Sequence, residues 1–132
     1  MARTFVITAD GGSRGNPGES AYGAVILEGS HVVAELSGRI GVATNNVAEY
    51  NGLLAGLTHV HRLDAQATVE VAMDSKLVVE QMSGRWQIKH SDMRDLAKQC
   101  RAAHDPSLVK YSWIPRDENS HADRLANKAL DG

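Results

Sequence analysis

Four acids carry the chemistry open to this sequence: Asp10, Glu49, Asp74 and Asp123. None neighbours another along the chain, so only the fold can bring them together. Hard carboxylate oxygens with no Cys or His at ligand spacing suit Mg²⁺ or Mn²⁺ rather than Zn²⁺. Four acids at close range also repel strongly without a counter-charge, and divalent cations supply one. Each acid has a purely local reading as well. Asn46-Val47-Ala48-Glu49 and Ser120-His121-Ala122-Asp123 resemble capping boxes, in which the helix dipole favours the acid. Asp74 suits the N-cap of a helix beginning at Ser75, and Asp10 before Gly11 suits the start of a turn. The choice between these readings depends on which elements hold the four residues.

Phe5–Thr8 is an uncharged, β-branched run that reads as a strand buried on both faces, ending at Ala9-Asp10-Gly11-Gly12. The glycine-rich stretch to Gly18 reads as a loop that another backbone can approach closely. Ala21–Leu27 and His31–Gly38 follow as strands joined by the turn Glu28-Gly29-Ser30, which predicts an antiparallel meander. Asn45-Asn46 offers caps for a helix over Val47–Leu63, whose Tyr50, Leu53, Leu54, Leu57 and Val60 form one apolar stripe. Thr68–Met73 alternates as a fourth strand and stops at Asp74. Ser75–Met82 and Ser91–His104 read as helices, Leu108–Ile114 as a fifth strand and Ser120–Leu130 as a closing helix. Helices between strands imply right-handed crossovers, so strands one, three, four and five point the same way. Their carboxyl ends then share one sheet edge, and all four acids fall there, where open α/β sheets place ligands.

The 132 residues predict one domain over 1–132, with 42% hydrophobic and 23% charged residues in the range of globular proteins. The single cysteine, Cys100, excludes an internal disulfide and reads as a buried free thiol. No apolar stretch is long enough to span a bilayer and no signal-peptide pattern opens the chain, so the expectation is a cytoplasmic protein with no membrane partner. The formal net charge of −2 argues against holding a polyanion by bulk electrostatics. A bound polyanion must be held through metal ions or a few local contacts.

Asp10-Gly11-Gly12-Ser13 with Gly15-Asn16-Pro17-Gly18, Thr44-Asn45-Asn46-Val47-Ala48-Glu49-Tyr50, Asp74-Ser75, and Glu118-Asn119 with Ala122-Asp123 together resemble type 1 ribonuclease H, in order and over almost the whole chain. The resemblance is strongest to the ribonuclease H domain of actinobacterial proteins fused to a C-terminal acid phosphatase. It implies an α/β ribonuclease H-like fold: a five-stranded mixed sheet, with strands 1–3 antiparallel and strands 1, 4 and 5 parallel, flanked by helices. It also implies endonucleolytic hydrolysis of the RNA strand of an RNA–DNA hybrid, leaving 5′-phosphate and 3′-hydroxyl ends. Asp10 would bridge two Mg²⁺ or Mn²⁺ ions, with Glu49 and Asp74 on the leaving-oxygen side and Asp123 on the side of the attacking water. Two such ions about 3.5–4 Å apart clamp both oxygens of an in-line displacement.

Matching positions also imply the substrate contacts. The backbone of Gly11, Gly12 and Ser13, with Asn16, Asn45 and Asn46, would read 2′-hydroxyls and minor-groove edges, which distinguish RNA from DNA. Thr44 matches a phosphate-pocket position on the DNA side, and Arg85, Trp86 and Lys89 lie in the short remnant of a basic protrusion that larger relatives carry. Trp86 also suits a core-covering role. The chain departs from the pattern in two further ways. Val42 stands where a phosphate-pocket arginine is expected, and Pro115–Asn119 lacks the loop histidine of longer relatives. Arg116 or His121 would take part of that role, Arg116 only by steadying phosphate or aiding its release, since it stays protonated. His59 and His61 read as ordinary surface residues. Competing readings are a non-catalytic hybrid-binding module, a phosphotransferase with Gly11–Gly18 as phosphate loop, and a DNA integrase or resolvase. The second lacks GxxxxGK[ST], and the asparagine pair suits hybrid reading better than the third.

Overall fold

The computed structural model describes residues 3–132. Three long strands, β1 (Thr4–Arg14), β2 (Gly18–Glu28) and β3 (His31–Ala43), form the antiparallel meander, each longer than the sequence predicts. α1 (Asn45–Leu63) crosses back to β4 (Thr68–Met73), α2 (Lys76–Met82) and α3 (Ser91–Ala103) lead to β5 (Val109–Trp113), and α4 (Ser120–Asp131) closes the chain. The sheet order is β3-β2-β1-β4-β5, with β4 parallel to β1 and β5 parallel to β4. The predicted topology therefore holds in full.

The first correction concerns β1. It does not end at Asp10: its parallel pairing with β4 stops at Ala9 opposite Met73, while its antiparallel pairing with β2 runs on to Arg14 opposite Glu19. The glycines after Asp10 are strand, kept there by pairing with Tyr22 and Ala21 of β2. Beyond Ala9, the edge of β1 that faced β4 has no strand partner. Nor is β1 uniformly buried: Phe5, Ile7 and Ala9 are fully buried, while Val6 and Thr8 on the other face are half-covered.

The main core lies between the sheet and α1, where Phe5, Ile7 and Ile26 meet Tyr50, Leu53, Leu57 and Val60. Burying each such side chain contributes about 1.5–3 kcal/mol. Tyr50 donates its hydroxyl to Gln81 Oε1 at 2.8 Å, a buried bond that pins α1 to α2. Cys100 is buried there too, with its thiol pushed up to about 12 by burial, so it stays protonated. α4 packs on β2 and β1. Gly23 makes this possible: a Cβ there would stand 2.2 Å from the Ala122 carbonyl oxygen. Among the described residues, no helix is long and apolar enough to cross a membrane.

Candidate active site

The four acids line one cavity of about 250 Å³ at the sheet edge, together with Gly11, Gly12, Ser13, Asn45 and Arg116. Asp10 stands on β1 one residue past the last pair with β4, and Asp74 directly follows β4. Glu49 comes from α1 and Asp123 from the first turn of α4. The capping readings of three acids fail here, although Asp123 keeps its place in the first turn of α4. α1 is capped by Thr44, whose Oγ1 accepts from Val47 N at 3.3 Å, so Asn45 and Asn46 are already helical and Glu49 lies beyond the first turn. Asp74 is not a cap, because Ser75 Oγ accepts from Val78 N at 3.2 Å. Ser120 is not one either: α4 starts after Asn119, with no side-chain cap bond. Glu49 and Asp74 are thus held at this edge without serving a helix end.

Placing Glu49 against Asp10 requires α1 to touch β1 directly. Gly11 permits it, since a Cβ there would lie 2.3 Å from both Ala48 C and Glu49 N. The close approach expected of the glycine-rich stretch is therefore real, but it occurs within a strand.

The electrostatics are those of a site short of positive charge. Burial, the neighbouring Asp74 charge and a hydrogen bond with Asp123 push the Asp10 carboxyl up to about 8, against the opposing pull of the Gly11 backbone N–H. Burial pushes Glu49 up to about 7, aided by Asp74 and opposed by the Ser75 hydroxyl and Arg116. Both groups bind protons more tightly folded than unfolded. Their contribution to stability is complete below the ordinary carboxylate range and is lost as pH rises through about 7 to 8. The metal-free protein should therefore melt lower at about pH 8.5 than at about pH 5, and Asp10→Asn should flatten that slope. Calorimetric melts of both proteins across this window check the sign, and parallel profiles would contradict it.

Asn119 is the residue that sequence reasoning placed in a motif but not in the site. It is 2% exposed, and its Nδ2 donates to Asp74 Oδ1 at 2.8 Å and to the Ala9 carbonyl at 2.9 Å. One amide thus ties the end of β1 to the carboxylate beyond β4. Trp113, also unassigned from sequence, donates its indole N–H to the Asp74 carbonyl at 3.1 Å. Asn119→Ala would free the Asp74 carboxylate and leave the Ala9 carbonyl without that donor. Turnover should fall about 10–100-fold, with about 1–3 kcal/mol lost in urea unfolding. Unchanged values in both assays would remove Asn119 from the site.

The remaining candidates divide. Asn45 lines the cavity and its N–H donates to Asn16 Oδ1 at 3.1 Å, joining the β1–β2 turn to the start of α1. The Ser13 hydroxyl is committed to backbone, donating to Ala43 O at 3.0 Å, and Gly11, Gly12 and Ser13 line the cavity. Thr44 lines a separate groove with Pro17, Val42 and His90, beside the acidic cavity's rim residue Asn45. Asn46 lines neither. Arg85 and Trp86 stand outside the cavity between α2 and α3; Arg85 Nε pairs with Glu80 at 2.5 Å, and Trp86 is 45% exposed, so it does not cover core. Arg116 is 94% exposed at its side chain, with Nε 3.8 Å from Asp74 Oδ2. His121 is not beside Asp123 as a proton carrier: it pairs with Glu35 of β3, and it does not line the cavity. His61, read as an ordinary surface residue, contacts a buried histidine, His104.

Known proteins share this fold. A family model described as reverse transcriptase-like matches residues 8–129. The chain is 56% identical over 129 residues to the bifunctional protein Rv2228c of Mycobacterium tuberculosis, covering 96% of this chain and 35% of that protein. The solved N-terminal ribonuclease H domain of Rv2228c superposes with a TM-score of 0.91 at 53% identity, covering 98% of this chain and 95% of that one. The chain belongs to the ribonuclease H family. Ribonuclease H1 of Halobacterium salinarum superposes at 0.89 with 38% identity over 97% of this chain and 98% of that one. LC11-RNase H1, solved in complex with an RNA/DNA hybrid, does so at 0.89 with 34% identity, over 96% of each chain. The chain spans about a third of the length of Rv2228c, the curated relative it matches at 56% identity.

The ribonuclease H family implies divalent ions at this site. The donors are carboxylate oxygens, and burial beside Asp74 raises the Asp10 and Glu49 carboxyls to about 8 and about 7, so both would gain from a neighbouring cation. Among the described residues, no three or more His, Cys, Asp or Glu side chains are grouped closely enough to hold an ion by themselves. Mg²⁺ needs no closed protein cage, because one or two carboxylates together with waters and substrate phosphate hold it. The residues fit the ions.

Proposed function

We propose that this chain is an endoribonuclease that hydrolyses the RNA strand of RNA–DNA hybrids, leaving 5′-phosphate and 3′-hydroxyl ends. Asp10, Glu49, Asp74 and Asp123 would hold two Mg²⁺ or Mn²⁺ ions. The observation that carries this reading is the convergence of the four acids on one cavity, two of them free of any helix-capping role. When bound, the ions supply Lewis-acid stabilisation of the oxygens that gain charge during phosphodiester hydrolysis. The chain's own residues do the rest. The unpartnered edge of β1 from Gly11 to Ser13 offers peptide groups beside the acids, where a 2′-hydroxyl would find partners that a deoxyribose lacks. Asn45 and Asn16 extend that polar rim, and Asn119 holds the Asp74 carboxylate in place. Thr44 takes the DNA strand in the neighbouring groove. With a net charge of −2 and Arg85 paired to Glu80, affinity for hybrid is modest, and a fused domain in a longer protein would add to it.

Arg116 reaches toward Asp74 from the cavity's outer wall and, always protonated, steadies the product phosphate. Arg116→Ala should slow steady-state turnover several-fold and leave single-turnover cleavage near the parent value. His121→Ala, outside the cavity, should behave as the parent in both. Equal losses in the two Arg116→Ala assays would move that residue into the chemical step.

Incubation with end-labelled hybrid, duplex DNA and duplex RNA, with and without Mg²⁺ or Mn²⁺, tests the function. Metal-dependent cutting of the RNA strand of the hybrid alone is expected. Cutting of duplex DNA, or nucleotide hydrolysis without hybrid, would replace this reading with the integrase or phosphotransferase alternative.

A further inference from the structure

Away from the acids, two histidines 43 positions apart meet at the far end of the helical layer. His61 Nδ1 lies 3.3 Å from His104 Nδ1. His61 is exposed in the last turn of α1, whereas His104, the C-cap of α3, is 2% exposed. Glu49 and His61 are twelve residues apart on α1, so the pair sits about 18 Å along that helix from the acidic cavity.

Three features favour a cation between these rings. His104 Nε2 is 2.8 Å from the Ala67 carbonyl, an acceptor only, so Nε2 carries the proton and the Nδ1 lone pair is turned toward His61. A ring N–H anchored on a backbone carbonyl, with the other nitrogen free, is how protein histidines are commonly oriented for metal. The separation also matches: two nitrogens on a tetrahedral ion with Zn–N bonds of about 2.0–2.1 Å stand about 3.3 Å apart. Finally, α1 and α3 both end at this point, so the negative ends of two helix dipoles converge on it.

We propose that His61 and His104 form a second metal site, selective for a borderline dication of the Zn²⁺ and Ni²⁺ class, which clamps the C-terminal ends of α1 and α3. It rejects Mg²⁺, which prefers oxygen ligands. Two imidazoles supply the protein ligands and water completes the shell. Cys100, one turn before His104 on α3, is not a ligand: it is buried, and its thiol donates instead to the Tyr50 carbonyl at 3.9 Å. The ion stabilises the folded protein and takes no part in catalysis, so the site stands or falls independently of the proposed nuclease activity.

The test is thermal unfolding of the whole chain in saturating Mg²⁺, which keeps the acidic cavity supplied, with Ni²⁺ or Zn²⁺ then added. At about ten times the dissociation constant, Ni²⁺ should raise the parent midpoint by roughly 4–7 °C. The rise should shrink in acid, where protons compete for the imidazoles. His61→Ala, at an exposed position that leaves the His104–Ala67 bond intact, should lose the rise. His59→Ala, whose ring lines a different cavity, should keep it. Titration calorimetry should count one Ni²⁺ fewer for His61→Ala than for the parent. No rise in the parent, or the same rise and ion count in His61→Ala, would show that the rings make only an N–H···N hydrogen bond and would overturn the site.

Discussion

Asp10→Asn should reduce Mg²⁺-dependent cleavage of an RNA–DNA hybrid on the order of 10³-fold or more, while the protein still folds and melts higher without metal. Burial, with Asp74 and Asp123 beside it, pushes the Asp10 carboxyl up to about 8. The amide keeps the shape and the Gly11 contact but removes the charge that ions would share. Loss of several kcal/mol of stabilisation in the transition state corresponds to that factor. The gain in metal-free stability has the same origin, relief of repulsion among buried acids. Single-turnover rates and metal-free melting curves check the two signs together. Near-normal cleavage would mean that the acids are not the ion holders.

Gly11→Ala should disrupt the site directly. Its Cβ would stand 2.3 Å from Ala48 C and Glu49 N, backbone atoms that no rotamer change can move aside. β1 or α1 must shift, with a cost of about 3 kcal/mol, at the top of the range for overpacked cores. The shift moves Glu49 away from Asp10, so activity should fall along with stability. Gly12→Ala is the matched comparison, because a Cβ there meets nothing within 4 Å. Urea midpoints and turnover of the two variants separate the outcomes. Equal stabilities would mean that the β1–α1 contact is looser than described.

These two residues also show what the sequence made legible. The hydrophobic periods, the short turns and the crossover rule were enough to order the strands and to bring four distant acids to one edge. The extent of β1 was not legible, because Gly11-Gly12-Ser13 carries turn chemistry, and only pairing with β2 keeps it in the sheet. The cap of α1 was misplaced by one or two residues because Thr44, Asn45 and Asn46 are all good caps, and the contact of Asn16 with Asn45 N–H enters the choice. Asn119 stayed hidden as a site residue because its role depends on atoms of β1 and of the residue after β4, which no local pattern reports. The meeting of His61 with His104 was invisible for the same reason: it is made by packing α1 on α3, not by spacing along either helix.

The central claim is that ions held by these four acids contact the phosphate being cut. Sulfur substitution of a non-bridging oxygen at a single scissile phosphate tests it most directly, because Mg²⁺ binds sulfur poorly and softer ions bind it better. For one of the two phosphorothioate diastereomers, cleavage in Mg²⁺ should collapse and Mn²⁺ should restore much of it. Equal rates for oxygen and sulfur substrates in Mg²⁺, or an equal loss with both metals, would contradict direct coordination and the account built on it.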